Sequence, residues 1–136
     1  MNKEELKNIL PHREPMLLVD EAEKIEDNKA MGKYKVKGDE YFLQGHFPGN
    51  PVVPGVILCE MMAQTCCVLL SEKVNNATPY FTGLNNVKFK NKVKPGDELV
   101  TICEITKAKH PFYFATAKGS VNGKLSVSAD FSFALM

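Results

Sequence analysis

Residues 56–70, VILCEMMAQTCCVLL, carry a single charged side chain and follow a Pro54-Gly55 pair. A proline there suits the first turn of a helix, and the run is long enough for some four turns. Apolar side chains occupy nearly every face of that helix, leaving none to offer water. Such a helix is stable only when enclosed, and the rest of the chain must supply the enclosure.

What remains reads mostly as strand. Residues 30–37, 87–93, 99–106, 113–121 and 124–133 each carry β-branched or aromatic residues, with turn signals at Pro95-Gly96-Asp97 and Asn122-Gly123. In the last of them Leu125, Val127, Ala129, Phe131 and Phe133 alternate with Ser126, Ser128, Asp130 and Ser132, so one face is buried and the other wet. Upstream, Asn2 and Glu5 form a capping-box pattern for a short helix reaching Ile9 or Leu10, where Pro11 stops it. Residues 16–19 are an apolar strand or extended segment. The expected class is α+β, an antiparallel sheet wrapped around one long central helix. At 136 residues the chain suits a single domain, 1–136, that buries roughly two-thirds of its unfolded surface.

Seventeen basic residues against sixteen acidic ones leave a formal charge of +1, so no net field favours nucleic acid or an anionic membrane. No stretch approaches the ~20 apolar residues of a membrane span, and the charged N-terminus is unlike a signal peptide. A cytoplasmic location is expected. Cys59, Cys66, Cys67 and Cys103 fit buried, reduced thiols, since no C-x-x-C pair or Cys/His cluster has zinc-ligand spacing. Neither G-x-G-x-x-G nor a P-loop is present, so no nucleotide cofactor is expected, and no metal.

The chemistry concentrates in GHFPGNPVVPG and the helix behind it. Gly45, Pro48, Gly49, Pro51 and Pro54 rule out regular structure over most of residues 41–54 and fix the direction of His46 cheaply. A loop histidine alone is more often structural; the stiff setting makes His46 a candidate base. Glu60 lies among Ile57, Leu58, Met61 and Met62, where an ionised carboxylate would lose its hydration, and a carboxyl buried there is suited to giving a proton. The bland alternative is a glutamate hydrogen-bonded for stability. Gln64, one turn on, can hold the carboxyl in place. Gly55 at the helix start lets a ligand oxygen approach unpaired N–H groups, and is as consistent with a glycine merely tolerated beside a proline turn. His12, beside Arg13 and Pro15, reads as structural, and His110 as a strand-end or turn residue. A base, a buried acid and an oxyanion donor together suit β-elimination of water from a carbonyl compound.

Leu10-Pro11-His12-Arg13, Leu17-Leu18-Val19-Asp20, Gly45-His46-Phe47-Pro48-Gly49-Asn50-Pro51, Val53-Pro54-Gly55, Glu60 with Ala63-Gln64, and Pro95-Gly96-Asp97 together resemble the bacterial 3-hydroxyacyl-acyl carrier protein dehydratases of type II fatty acid synthesis. The resemblance runs nearly end to end. It implies a hot-dog fold, catalytic roles for His46 and Glu60, and an oxyanion contact near Gly55; Val56, Phe47 and Gln64, beside these residues, are with Gly55 the candidate substrate-binding positions. It also implies acyl carrier protein as the partner carrying the substrate, and a homodimer whose sites combine His46 of one subunit with Glu60 of the other. Three such dimers would form a hexamer. The related branch that also isomerises the double bond carries aspartate where Glu60 stands, so glutamate favours plain dehydration.

Lys88, Lys90, Lys92 and Lys94 alternate with Val87, Phe89 and Val93. A solvated edge guarded against aggregation explains at least half of this pattern. The functional reading makes Lys88, Lys90 and Lys92 a docking stripe for the acidic carrier protein. The reading reached is a lyase that converts 3-hydroxyacyl to trans-2-enoyl chains in fatty acid elongation. A hot-dog acyl thioesterase and a non-catalytic acyl-binding module are the alternatives.

Overall fold

A computed structural model describes residues 1–71 and 77–136. Asn2 caps a one-turn helix, α1 (Lys3–Leu6): its side chain accepts from the Glu5 N–H at 2.9 Å, and the Glu5 carboxylate accepts from the Asn2 N–H at 3.1 Å. The helix ends short of Ile9. Beyond it the Arg13 guanidinium donates to the carbonyls of Lys7 and Leu10, at 3.0 and 2.9 Å, and so takes up acceptors that a longer helix end would leave bare. Residues 16–19 are extended rather than paired, with Leu17, Leu18 and Val19 buried.

The strands are β1 (Glu21–Glu26), β2 (Lys29–Lys35), β3 (Pro79–Phe89), β4 (Glu98–Lys109), β5 (Phe112–Val121) and β6 (Lys124–Leu135). They pair antiparallel in one sheet of order β1-β2-β4-β5-β6-β3. Asn122 and Gly123, with φ of 52° and 78°, form the tight turn joining β5 to β6. Across these two strands Tyr113, Ala115 and Ala117 stand opposite Phe133, Phe131 and Ala129, and all six are buried.

The central helix, α2 (Gly55–Cys67), continues as a 3-10 turn through Val68–Leu70 and lies against β2, β4, β5 and β6. Gly32 on β2 permits the close approach, since a Cβ there would sit 2.2 Å from Thr65 Oγ1. Enclosure is incomplete, however. Leu58, Cys59, Met61, Met62 and Cys66 are buried, whereas Val56 is 72% exposed and Glu60 and Ala63, on the same face, are only half-buried.

Two strands depart from expectation. β1, EAEKIE, leaves five of its six residues exposed and so has no hydrophobic alternation to read. β3 starts at Pro79 rather than 87 and ends at Phe89 rather than 93. Its register against β6 shifts between Phe81 and Gly83 and again between Asn85 and Lys88, with Asn86 at φ 52°, which breaks the period of two. β3 is also an edge strand, and Tyr80, Phe81, Leu84 and Phe89 remain exposed along it.

Candidate active site

Two turns build the histidine loop. Phe47 to Asn50 is closed by the Asn50 N–H donating to the Phe47 carbonyl at 2.9 Å, with Pro48 in the second position and Gly49 in the third at φ 73°. Proline presets the one angle and glycine tolerates the other, as a type II turn requires. The loop then folds back on itself: the Val52 N–H donates to the His46 carbonyl at 2.9 Å, and His46 Nδ1 lies 2.8 Å from the Val52 carbonyl. A carbonyl can only accept, so we assign the proton to Nδ1. That leaves the Nε2 lone pair free on a half-buried ring stacked on Phe47 at 4.2 Å.

His46 lines a hollow with Val53, Gly55, Leu58 and Phe89. Gly55 is the first residue of α2, and a Cβ on it would meet the Phe89 ring at 2.6 Å. Close packing of that ring therefore requires the glycine. The helix start carries the expected free donors: Ile57 and Leu58 both donate to the Pro54 carbonyl, while the N–H groups of Gly55 and Val56 have no acceptor among the described residues. Phe47 and Val56, the chain neighbours of His46 and Gly55, are both exposed.

Glu60 is expected deep among apolar residues, and the structure corrects that: its side chain keeps 22% of its surface open. It opens into a second hollow, lined with His12, Gln64, Cys67, Tyr80 and Phe81. Glu60 and His46 thus face different hollows of the same chain. Gln64 holds the carboxyl as the spacing predicts, donating to Glu60 Oε2 at 2.8 Å. Its other contacts are internal too, an Nε2 bond to the Met16 carbonyl and an acceptance from the Leu18 N–H, each 2.8 Å. Gln64 is buried, with both amide N–H groups donating and its oxygen accepting within the fold, so its polar atoms are turned toward Glu60 and the residue 16–18 backbone.

A group that the sequence gives no reason to place here is His12. Read as structural, it lies with Nε2 3.4 Å from Glu60 Oε2. Nothing local signals this, because the two residues meet only through the tertiary fold.

Lys88 pairs with Ser128 in β3, and Lys90 and Lys92 continue past the strand's end, all three exposed. Lys90 and Lys92 border the His46 hollow and, with Lys124, a neighbouring one. The four cysteines are free and buried. Burial pushes the Cys67 thiol up to about 12, and a hydrogen bond with Cys103, with burial behind it, raises Cys66. Among the described residues no helix is long and apolar enough to cross a membrane.

One helix held in an antiparallel six-stranded wrapper defines a hot-dog fold protein. The dehydratase heterocomplex ApeI:P from Xenorhabdus doucetiae matches it with TM-score 0.82 at 21% identity, over 96% of this chain and 90% of that one. A hypothetical thioesterase with coenzyme A from Streptococcus pneumoniae matches with TM-score 0.64 at 16% identity, over 85% and 84%. Those likenesses are of fold alone.

Sequence narrows the class. The FabA-like domain family matches residues 10–130. The chain is 42% identical to the 3-hydroxyacyl-acyl-carrier-protein dehydratase FabZ of Clostridium perfringens and 44% identical to that of Clostridium beijerinckii, over 99% of both chains in each case. The FabZ of Staphylococcus haemolyticus is 42% identical over 96% of this chain and 92% of its own. The chain belongs to the FabA-like family.

Proposed function

We propose that this chain is a hydro-lyase that dehydrates 3-hydroxyacyl-acyl carrier protein to the trans-2-enoyl form in fatty acid elongation, as a single cytoplasmic domain, 1–136. The supporting observation is the tethering of His46. With Nδ1 held by the Val52 carbonyl, the ring offers Nε2 as a base in a fixed direction beside the open N–H groups of Gly55 and Val56.

The steps balance as follows. His46 Nε2 takes the proton from the carbon next to the thioester carbonyl, and the freed electron pair is drawn toward the carbonyl oxygen, which the Gly55 and Val56 N–H groups steady. Glu60 gives its proton to the 3-hydroxyl, the C–O bond breaks, water leaves and the double bond forms. Phe47, Val56 and Phe89 flank the acyl chain.

His46 and Glu60 face separate hollows, and the Glu60 face of α2 and the β3 edge both lie uncovered. Long apolar edge strands invite pairing. A second copy along β3 would cover them, so the working unit is a homodimer whose sites join His46 of one subunit to Glu60 of the other, with three dimers in a hexamer. His46→Ala and Glu60→Gln, each inactive alone, should then recover about a quarter of wild-type activity when refolded as a mixture, by random pairing of subunits. Acyl carrier protein docks on Lys88, Lys90 and Lys92 by charge complementarity. Lys88→Glu with Lys92→Glu should weaken turnover of the carrier-bound substrate more than that of a small thioester.

The direct test follows the ultraviolet absorbance of an enoyl thioester on acyl carrier protein. Absorbance should fall with wild type and lose at least ~100-fold in rate with His46→Ala or Glu60→Gln. Free thiol with unchanged absorbance would make the protein a thioesterase instead.

A further inference from the structure

We propose that His12 is a second positioning residue for Glu60, a donor that receives the negative charge Glu60 acquires when it protonates the leaving hydroxyl. The proposal rests on the acid role given to Glu60 above and adds a residue to it.

Three observations carry it. First, His12 Nε2 lies 3.4 Å from Glu60 Oε2, an ion-pair contact that a small rotation of the ring closes into a hydrogen bond. Second, His12 Nδ1 is enclosed and has no hydrogen-bond partner among the described residues. An N–H placed there would be a buried donor with no acceptor, an arrangement that folded proteins avoid. The neutral ring therefore keeps its proton on Nε2, where Oε2 can accept it. Third, the two carboxyl oxygens differ. Oε2 accepts from Gln64 at 2.8 Å and faces His12, whereas no donor among the described residues reaches Oε1.

This asymmetry divides the work. Oε1, without a protein donor, carries the proton and delivers it as the C–O bond breaks. The charge left on the carboxylate is met at Oε2 by the N–H groups of Gln64 and His12. A donor aimed at charge that develops during the step lowers the barrier without tightening substrate binding. Among the described residues, the other titratable groups lining this hollow, Cys67 and Tyr80, make no hydrogen bond to either carboxyl oxygen.

The test changes the leaving group. Departure of chloride from a 3-chloroacyl thioester takes the bonding pair with it and requires no proton, so it still needs the base but not the acid. His12→Leu should lower kcat on the 3-hydroxyacyl substrate roughly 10- to 100-fold, the size of one charge-assisted hydrogen bond, with KM little changed. On 3-chlorobutyryl-acyl carrier protein, corrected for spontaneous elimination, the same variant should match wild type. His12→Gln, which restores an N–H donor, should recover a substantial part of the lost rate. Equal losses on both substrates, or no loss on either, would overturn the role of His12. If His12→Leu fails to fold, His12→Asn, polar but too short to reach Oε2, carries the same comparison. Glu60→Gln separates the two levels: should it slow both substrates alike, the acid reading of Glu60 fails, whatever His12 does.

Discussion

Gln64→Ala is the substitution whose cost is most directly worked from the structure. The side chain is 1% exposed and makes three bonds of 2.8 Å, to the Leu18 N–H, the Met16 carbonyl and Glu60 Oε2. Leu18 is itself buried, so its N–H would lose its acceptor with no water to replace it, at about 1–3 kcal/mol. The Met16 carbonyl, on a residue 36% exposed, can be rehydrated and costs less. The lost methylene and the void behind it add about 1 kcal/mol. Together these amount to roughly 2–5 kcal/mol, and at about 4 °C per kcal/mol for a chain of this size Tm should fall by on the order of 8–20 °C. Circular dichroism melts at one fixed protomer concentration would measure it, since pairing of subunits couples stability to concentration.

Gln64→Glu sharpens the test. The new carboxyl can still accept from the Leu18 N–H but, once ionised, cannot donate to the Met16 carbonyl, and it stands beside the Glu60 carboxyl. Its protonated form is favoured in the fold, so its pKa there exceeds the unfolded value of ~4.3. The sign follows: stability is fully present below that unfolded value and is lost as pH rises through the folded one. Relative to wild type, the variant should be closest near pH 4 and fall away toward pH 8. A Tm loss under about 3 °C for Gln64→Ala, or a Gln64→Glu deficit that does not grow with pH, would refute the reasoning.

Gly55→Ala should push the Phe89 ring off the helix start, and because Phe89 is 54% exposed the ring can yield; a double-mutant cycle with Phe89→Ala should show a coupling of at least about 1 kcal/mol in urea melts. Burial raises the Glu40 carboxyl, but the N–H groups of Lys37 and Gly38 and the Tyr34 hydroxyl outweigh it and hold Glu40 below the usual carboxylate range. Its contribution is therefore present above about pH 4.5 and lost as pH falls through the depressed value, so Tm should drop less steeply in acid for Glu40→Gln than for wild type. Burial raises Cys59 and Cys67, the hydrogen bond with Cys103 and then burial raise Cys66, and all four thiols are enclosed, so iodoacetamide at pH 7.5 should leave the native protein unlabelled and modify four cysteines in guanidinium, by mass spectrometry.

The parts of the fold legible in the sequence were those with a burial pattern of their own. α2 announces itself by having almost no polar residue, and β6 by strict alternation of apolar and hydroxyl or acidic side chains. β1 and the first half of β3 lack such a pattern for a physical reason. Each is an edge strand: β1 faces water with nearly every residue, and β3 keeps its apolar residues exposed while its register slips twice. Strands that are not buried on one face have no reason to alternate.

The candidate site divides along the same line. His46 was legible because its glycines and prolines act locally, and Gln64 because helix geometry puts it one turn from Glu60. The openness of Glu60 was not, since which side of a helix that is apolar nearly all round stays uncovered depends on where the sheet ends. Nor was His12 legible, and the reason is mechanical. Gln64 grips the backbone of the extended segment at both Met16 and Leu18, which draws the loop before it onto α2 and carries His12 to within 3.4 Å of Glu60. The same clamp that holds the proposed acid thus also delivers its second donor. Loosening the grip with Gln64→Ala should therefore reduce the effect of a further His12→Leu change on kcat, because the ring would already be displaced from the carboxylate.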